Sequence, residues 1–124
     1  MSFREGVPDT EFSEPFVDGM RDRMAISFFK YGPLHDAYPK KVDAIATALD
    51  HITEYHLTGN LEKLMDAANY LMIETLAPRH PRAHYTPTDS EGSLGRRDAR
   101  TGKPSQAPNS DVGVDPTTLR MRGR

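Results

Sequence analysis

Four carboxylates spaced around one tight turn are the residues of this chain best placed to do chemistry. With Thr58 taken as the centre, Glu54 and Glu62 each lie four residues away, and Asp50 and Asp66 eight. If the chain doubles back there as two antiparallel helices, equal offsets fall at equal height, and residues four apart share one helix face. Asp43, Asp50 and Glu54 then form one stripe, and Glu62, Asp66 and Asn69 another. The two stripes face each other or both face away; spacing alone leaves both arrangements open. Facing each other, the carboxylates repel unless a cation sits between them. Hard oxygen donors of this kind suit Mg2+ or Mn2+, with a phosphate completing the shell. Facing away, they are two solvated acidic edges, the commoner fate of charges flanking a core stripe.

A loose basic set accompanies them: Arg21 and Arg23, then Lys30, Lys40 and Lys41. These suit the oxygens of a triphosphate, and they suit equally well the surplus acids, which is the simpler pairing. The loop Thr86–Arg97 holds the ingredients of an anion cradle, with Gly92 and Gly95, hydroxyls at Thr88, Ser90 and Ser93, and charge at Arg96 and Arg97. It lacks the Gly-x-x-x-x-Gly-Lys-Ser/Thr order of a P-loop. Asn69, one turn after Asp66, reads first as a residue bridging neighbouring helices. His51 and Tyr55 read as outer residues of their helix or as an oligomer contact, and His80 and His84 bracket Pro81 and share no helical face. No nucleophile–base pair stands out, so no catalytic residue is assigned.

Three helices must position these groups. Ser13 is a good N-cap and Pro15 fits a first turn. Phe16, Met20, Met24 and Phe28 repeat every four residues to about Lys30, and Gly32-Pro33 stops the helix. A second helix is expected from Pro39 to about His56, with Val42, Ile45, Ala46, Leu49 and Ile52 as its core stripe. Thr58-Gly59-Asn60 is the sharpest turn signal. A third helix then runs from Leu61 to about Leu76, with Leu61, Leu64, Met65, Ala68, Leu71 and Met72 facing the core. The short turn makes the last two an antiparallel hairpin.

The character of the chain changes at Pro78: the 47 residues from Pro78 onward carry six prolines and no amphipathic period. The expected organisation is a flexible lead (1–12), a helical core (13–77) and an extended Pro/Gly-rich arm (78–124), with disorder-like composition over 98–118. Net charge is −6 over residues 1–77 and +4 over 78–124. An acidic core argues against nucleic-acid binding by that core, whereas the basic arm suits phosphate or an acidic neighbouring subunit. No cysteine is present, which excludes disulfides and zinc-thiolate sites. No secretory or membrane-spanning stretch is seen, so a soluble, cytoplasmic protein is expected. About 65 core residues give a marginal core, so the fold class is all-α: a small helical bundle completed by oligomerisation, with a long extended C-terminal arm.

The order of elements resembles the small MazG-like proteins of bacteriophages and actinobacteria, members of the all-α nucleoside triphosphate pyrophosphohydrolase superfamily. The residues that carry the likeness are Arg21-Asp-Arg-Met24 on a helix ending Lys30-Tyr31-Gly32, then Ala48–Tyr55, then Leu61–Met72 with Asp66-Ala-Ala-Asn69. The resemblance implies Mg2+-dependent cleavage between α and β phosphates, a dimer or tetramer, and Asp66 as a late-helix metal ligand with Glu62 near it. In a nucleotide-hydrolysing reading, Asp50 and Glu54, at a spacing different from that family's, would complete the metal set, and Arg21, Lys30, Lys40, Arg96 and Arg97 would form the phosphate set. The early Glu-Glu-x-x-Glu of that family is missing, and its late Glu-x-x-Asp is here Glu62-x-x-x-Asp66, one residue longer. Two functions follow: a non-catalytic phage-type helical protein that assembles or binds a protein partner through its arm in the host cytoplasm, or a Mg2+-dependent nucleotide pyrophosphohydrolase.

Overall fold

The computed structural model describes residues 3–88 and 94–103, and all three expected helices are present. Helix α1 spans Glu14–Tyr31, α2 Ala44–Thr58 and α3 Glu62–Leu76, and no β-strand occurs among the described residues. Residues up to Ala83 belong to one compact unit and those from His84 to a second. The polar lead holds two 3-10 turns, Phe3–Gly6 and Asp9–Glu11, both exposed. Among the described residues, no helix is long and apolar enough to cross a membrane.

Local chemistry explains the helix ends. The Ser13 hydroxyl accepts from the Phe16 N–H, and Gly32 closes α1 at a φ of 87° that side chains resist. Gly59 does the same for α2 at φ 74°, in the left-handed region. The Asn60 carboxamide oxygen accepts from the Glu62 N–H at 3.0 Å, opening α3. The second helix starts later than Pro39. Tyr38–Pro39 is a cis peptide, residues 37–41 form turns, and the Asp43 carboxylate caps α2 by accepting from the Ala46 N–H at 3.1 Å. Asp43 is therefore an end-cap and not a member of an acidic helix stripe. The Glu74 carboxylate accepts from the Arg79 N–H at 2.8 Å beyond the end of α3.

Helices α2 and α3 pack closely as the expected hairpin, and α1 lies on α3. The buried positions differ from the expected stripes. Those among the described residues are Ala44, Ala48, Ala67, Ile73 and Asn69. Ile45 and Leu49 are 41 % and 59 % exposed, and Leu61 and Leu71 64 % and 49 %. The physical reason is close approach: with alanine at 44, 48 and 67 the two backbones come together on their small faces. His51 then stacks on Tyr70, ring centroids 5.3 Å apart, so His51 lies between the helices and not on the outer side. The bulkier aliphatic stripes are turned about a third of a turn away.

Enlarging the small face tests this register. Ala48→Leu should overpack the α2–α3 seam and cost about 1–3 kcal/mol. The same change at exposed Ala46 should stay within about 0.5 kcal/mol. Urea unfolding followed by circular dichroism measures both.

Candidate functional site

The α1–α3 seam carries the most organised polar group in the molecule. Arg23 sits on the face of α1 that meets α3, and Glu62 and Asp66 are one turn apart on α3. The guanidinium spans both: Nε donates to Asp66 Oδ1 at 3.0 Å, Nη2 to Asp66 Oδ2 at 3.4 Å, and Nη1 lies 3.1 Å from Glu62 Oε2. This is a forked, charge-assisted contact. The hydrogen bond to Asp66 holds the Arg23 pKa above its already high value, against the opposing effect of burial. One turn further, Asn69 donates from Nδ2 to the Met20 carbonyl at 3.0 Å, while its Oδ1 is buried without a partner. Asn69 thus bridges α1 and α3, as its position suggested. Gly19 lets the helices approach: a Cβ there would land on the Met65 thioether.

Beside this seam lies a cleft of about 50 Å³, lined by Arg23, Ser27, Asp66, Asn69, Tyr38 and Tyr70 with Met24, Leu34 and Ile73. That volume suits one or two waters. Burial raises the Tyr38 and Tyr70 pKa values, and each ring acts on the other through its hydroxyl. The Asp66 charge pushes Tyr70 up further. A larger apolar hollow of about 310 Å³ adjoins it, lined by Met24, Ala25, Ser27, Phe28, Gly32 and Leu34.

The four carboxylates share a side of the hairpin but not a centre. With Glu54 opposite Lys63 and His51 opposite Tyr70, helical phase puts both acidic stripes on the side where α1 packs. Glu62 and Asp66 are spanned by Arg23. Glu54 pairs with Lys63 at 2.9 Å, a hydrogen bond that holds the carboxyl below its usual range. That contribution is present above the ordinary glutamate pKa and lost as pH falls through the lowered value. Asp50 is exposed and makes no ion pair among the described residues. No group of three or more His, Asp or Glu side chains converges among the described residues. As arranged, with a protein cation on three of the four, this donor set does not fit a preformed Mg2+ shell.

The basic residues are dispersed. Arg23 is the member of the early set that pairs with acids; Arg21 and Lys40 are exposed, and the Lys30 ammonium lies 5.3 Å from the Tyr31 ring. Arg96 and Arg97 belong to the second unit, where Arg97 donates to the Gly102 carbonyl. Ser90, Gly92 and Ser93 of the expected cradle lie outside the described residues. A closed turn follows it: the Asp98 carboxylate accepts from the Arg100 N–H at 2.7 Å and the Thr101 N–H at 3.3 Å, and its N–H donates to the Lys103 carbonyl at 2.7 Å. This turn falls inside the span read as disorder-like. Its signal was Asp98 followed by Gly102 at a positive φ of 73°. Tyr38 and Tyr70 were also missed, because their pairing needs the turn after α1 folded against α3.

Two measurements probe the seam. Arg23→Met should leave Glu62 and Asp66 facing each other without a cation and cost about 1–3 kcal/mol at neutral pH, read from urea unfolding. In an alkaline titration at 295 nm, the Tyr38 and Tyr70 phenols should ionise later than the ordinary value of 10.0. Their burial in neutral form stabilises the fold below that pH, a contribution that disappears as pH rises past it. Tyr38→Phe should remove part of the late phase; an unchanged titration curve would contradict the placement of this ring.

Comparison of the chain with protein-family models gave no match, nor did comparison with curated proteins or with solved structures.

Proposed function

We propose that this chain is a non-catalytic assembly protein of MazG-like helical type that works by binding protein, itself included. The observation that carries this reading is the poverty of its own core. Among the described residues the buried apolar set is three alanines and Ile73, while Leu49, Leu57, Phe29 and Tyr31 are 59 %, 79 %, 85 % and 73 % exposed. Exposed apolar surface on this scale marks an interaction surface. The basic segment after α3 supplies a second contact region, with Arg96 and Arg97 exposed just before the Asp98–Lys103 turn and Arg100 and Lys103 exposed within it. Charge of that sign suits an acidic protein surface such as the helical part of a neighbouring copy.

A second reading, a Mg2+-dependent nucleoside triphosphate pyrophosphohydrolase, is favoured by one observation: Asp50, Glu54, Glu62 and Asp66 share the α1 side of the hairpin. In that reading Glu62 and Asp66 would leave Arg23 to hold the metal, whose chemistry is to polarise the α-phosphate and activate water. Arg21, Lys30 and Lys40 would then orient phosphate.

Pyrophosphate release from each NTP and dNTP with Mg2+ or Mn2+ separates the two. The assembly reading expects none above blank, for the wild type and for Asp66→Asn alike. Turnover abolished by Asp66→Asn would establish the enzyme.

A further inference from the structure

The C-terminal end of α1 and the loop after it differ from the rest of the helical part in shape and in charge. The apolar hollow of about 310 Å³ lies here, lined by Met24, Ala25, Ser27, Phe28, Gly32 and Leu34. The backbone builds it: α1 closes at Gly32, and Leu34–Asp36 returns as a short 3-10 turn that brings Leu34 onto the helix. The loop holds itself in place. The Ala37 and Tyr38 N–H groups donate to the Leu34 carbonyl at 3.0 and 2.9 Å, and the Lys41 N–H donates to the Ala37 carbonyl at 2.9 Å. Phe28 and Phe29 meet edge to face, ring centroids 5.3 Å apart, and Phe29 and Tyr31 are exposed beyond the hollow. Residues 24–42 also carry Lys30, Lys40 and Lys41 against the single carboxylate of Asp36, in a helical part whose net charge is −6. Asp36 lies 3.3 Å from His35, whereas the three lysines are exposed and enter no ion pair among the described residues.

We infer that this end of α1 binds a short acidic segment of another protein, seating one large apolar side chain of that segment in the hollow and its carboxylates on the lysines. The inference rests on the assembly reading above and names its partner. Ligand-sized cavities begin at about 300 Å³. A hollow of about 310 Å³ therefore takes one aromatic or aliphatic side chain and not the face of a helix. Phe28 offers that side chain a ring and Ser27 a hydroxyl. The exposed surface of Phe29 and Tyr31 continues past the hollow, which suits a chain running across it better than a free small molecule. Charge selects the segment. Lys30 lies two residues before Gly32, and Lys40 two residues after the Tyr38 N–H that donates to Leu34, so lysines flank the lining on both sides. Carboxylates within three residues of an anchor reach about 10 Å along an extended chain, which is about one Debye length. A short segment thus responds to the lysines beside it and is screened from more distant acids. The acid of the adjoining cleft, Asp66, is already paired with Arg23. A bilayer or a nucleic acid meets the whole negative helical part and is repelled. One anchor with a few charge pairs makes a small interface, so binding is weak, reversible and salt-sensitive.

Titration of the full chain into a synthetic peptide of Glu and Ser with one central Trp tests the inference. The protein has no tryptophan, so indole emission reports the peptide alone. The emission should move to shorter wavelength and saturate, and added NaCl should weaken the binding. A fluorescein-labelled form, read by anisotropy, follows the controls. Exchanging the peptide's Trp for Ala, or every Glu for Gln, should weaken binding about tenfold or more. In the protein, Ala25→Phe should fill the hollow and weaken binding about tenfold. Lys40→Glu with Lys41→Glu should weaken it about threefold or more and flatten its salt dependence. Helical circular dichroism should stay intact in both, because positions 25, 40 and 41 are exposed. Arg4→Glu, in the N-terminal lead, should leave binding unchanged. A peptide whose emission does not move overturns the inference. So does binding that survives Ala25→Phe, or a Gln peptide that binds as well as the Glu peptide. Lysine-dependent binding to phosphatidylserine vesicles or single-stranded DNA without binding of the peptide also overturns it. Peptide binding alongside nucleotide turnover dependent on Asp66 would defeat the assembly reading and leave this site standing. Failure of the peptide alone defeats the site and leaves that reading, which rests on the wider exposed surface.

Discussion

The fork of Arg23 across Glu62 and Asp66 is the contact on which the arrangement of this protein depends. Helix α1 has no covalent or local reason to lie on α3: the intervening chain passes through a turn and all of α2. What aligns them is one guanidinium spanning two carboxylates one turn apart, with the Asn69 amide on the Met20 carbonyl a turn below. Such directional contacts fix axial position and rotation together, which apolar packing against methionines does not. Once α1 is set, Gly19 meets Met65 and Ser27 and Leu34 border the cleft with Tyr38 and Tyr70.

The same contact bears on function. Carboxylates arranged for a divalent cation must converge with free lone pairs; here two of the four are taken by an arginine and a third by Lys63. Three of the four acids on that side of the hairpin are therefore paired from within the chain, and the side left open among the described residues is the apolar one. Small residues at the internal seam and large ones outside it are parts of one arrangement.

Helix existence and order, and the helix ends apart from the start of α2, were legible in the sequence because each is a local matter. Ser13, Gly32, Gly59 and Asn60 act as caps and stops within a few residues of themselves. Helix rotation was not legible. Hydrophobicity alone selects Ile45, Leu49, Leu61 and Leu71 as the inward face, yet the intrachain contact uses Ala44, Ala48 and Ala67, which hydropathy ranks lower. A periodic apolar row says that something covers it, without saying whether the cover is the same chain. The polar site was half legible for a similar reason: the spacing of Glu62 and Asp66 is visible in one dimension, while the choice of Arg23 over Arg21 depends on the phase of a helix some forty residues away.

The seam beside Gly19 also has a chemical vulnerability. α1 meets α3 there across the Met65 thioether, and Met20, Met24 and Met72 are half-buried on the same two helices. In a chain without cysteine, thioethers are the only sulfur for an oxidant to reach. Conversion of Met65 to its sulfoxide adds a polar oxygen where glycine leaves room for nothing more than the unmodified side chain. Peroxide would act on this protein as a wedge between its helices, and methionine sulfoxide reductase as the repair.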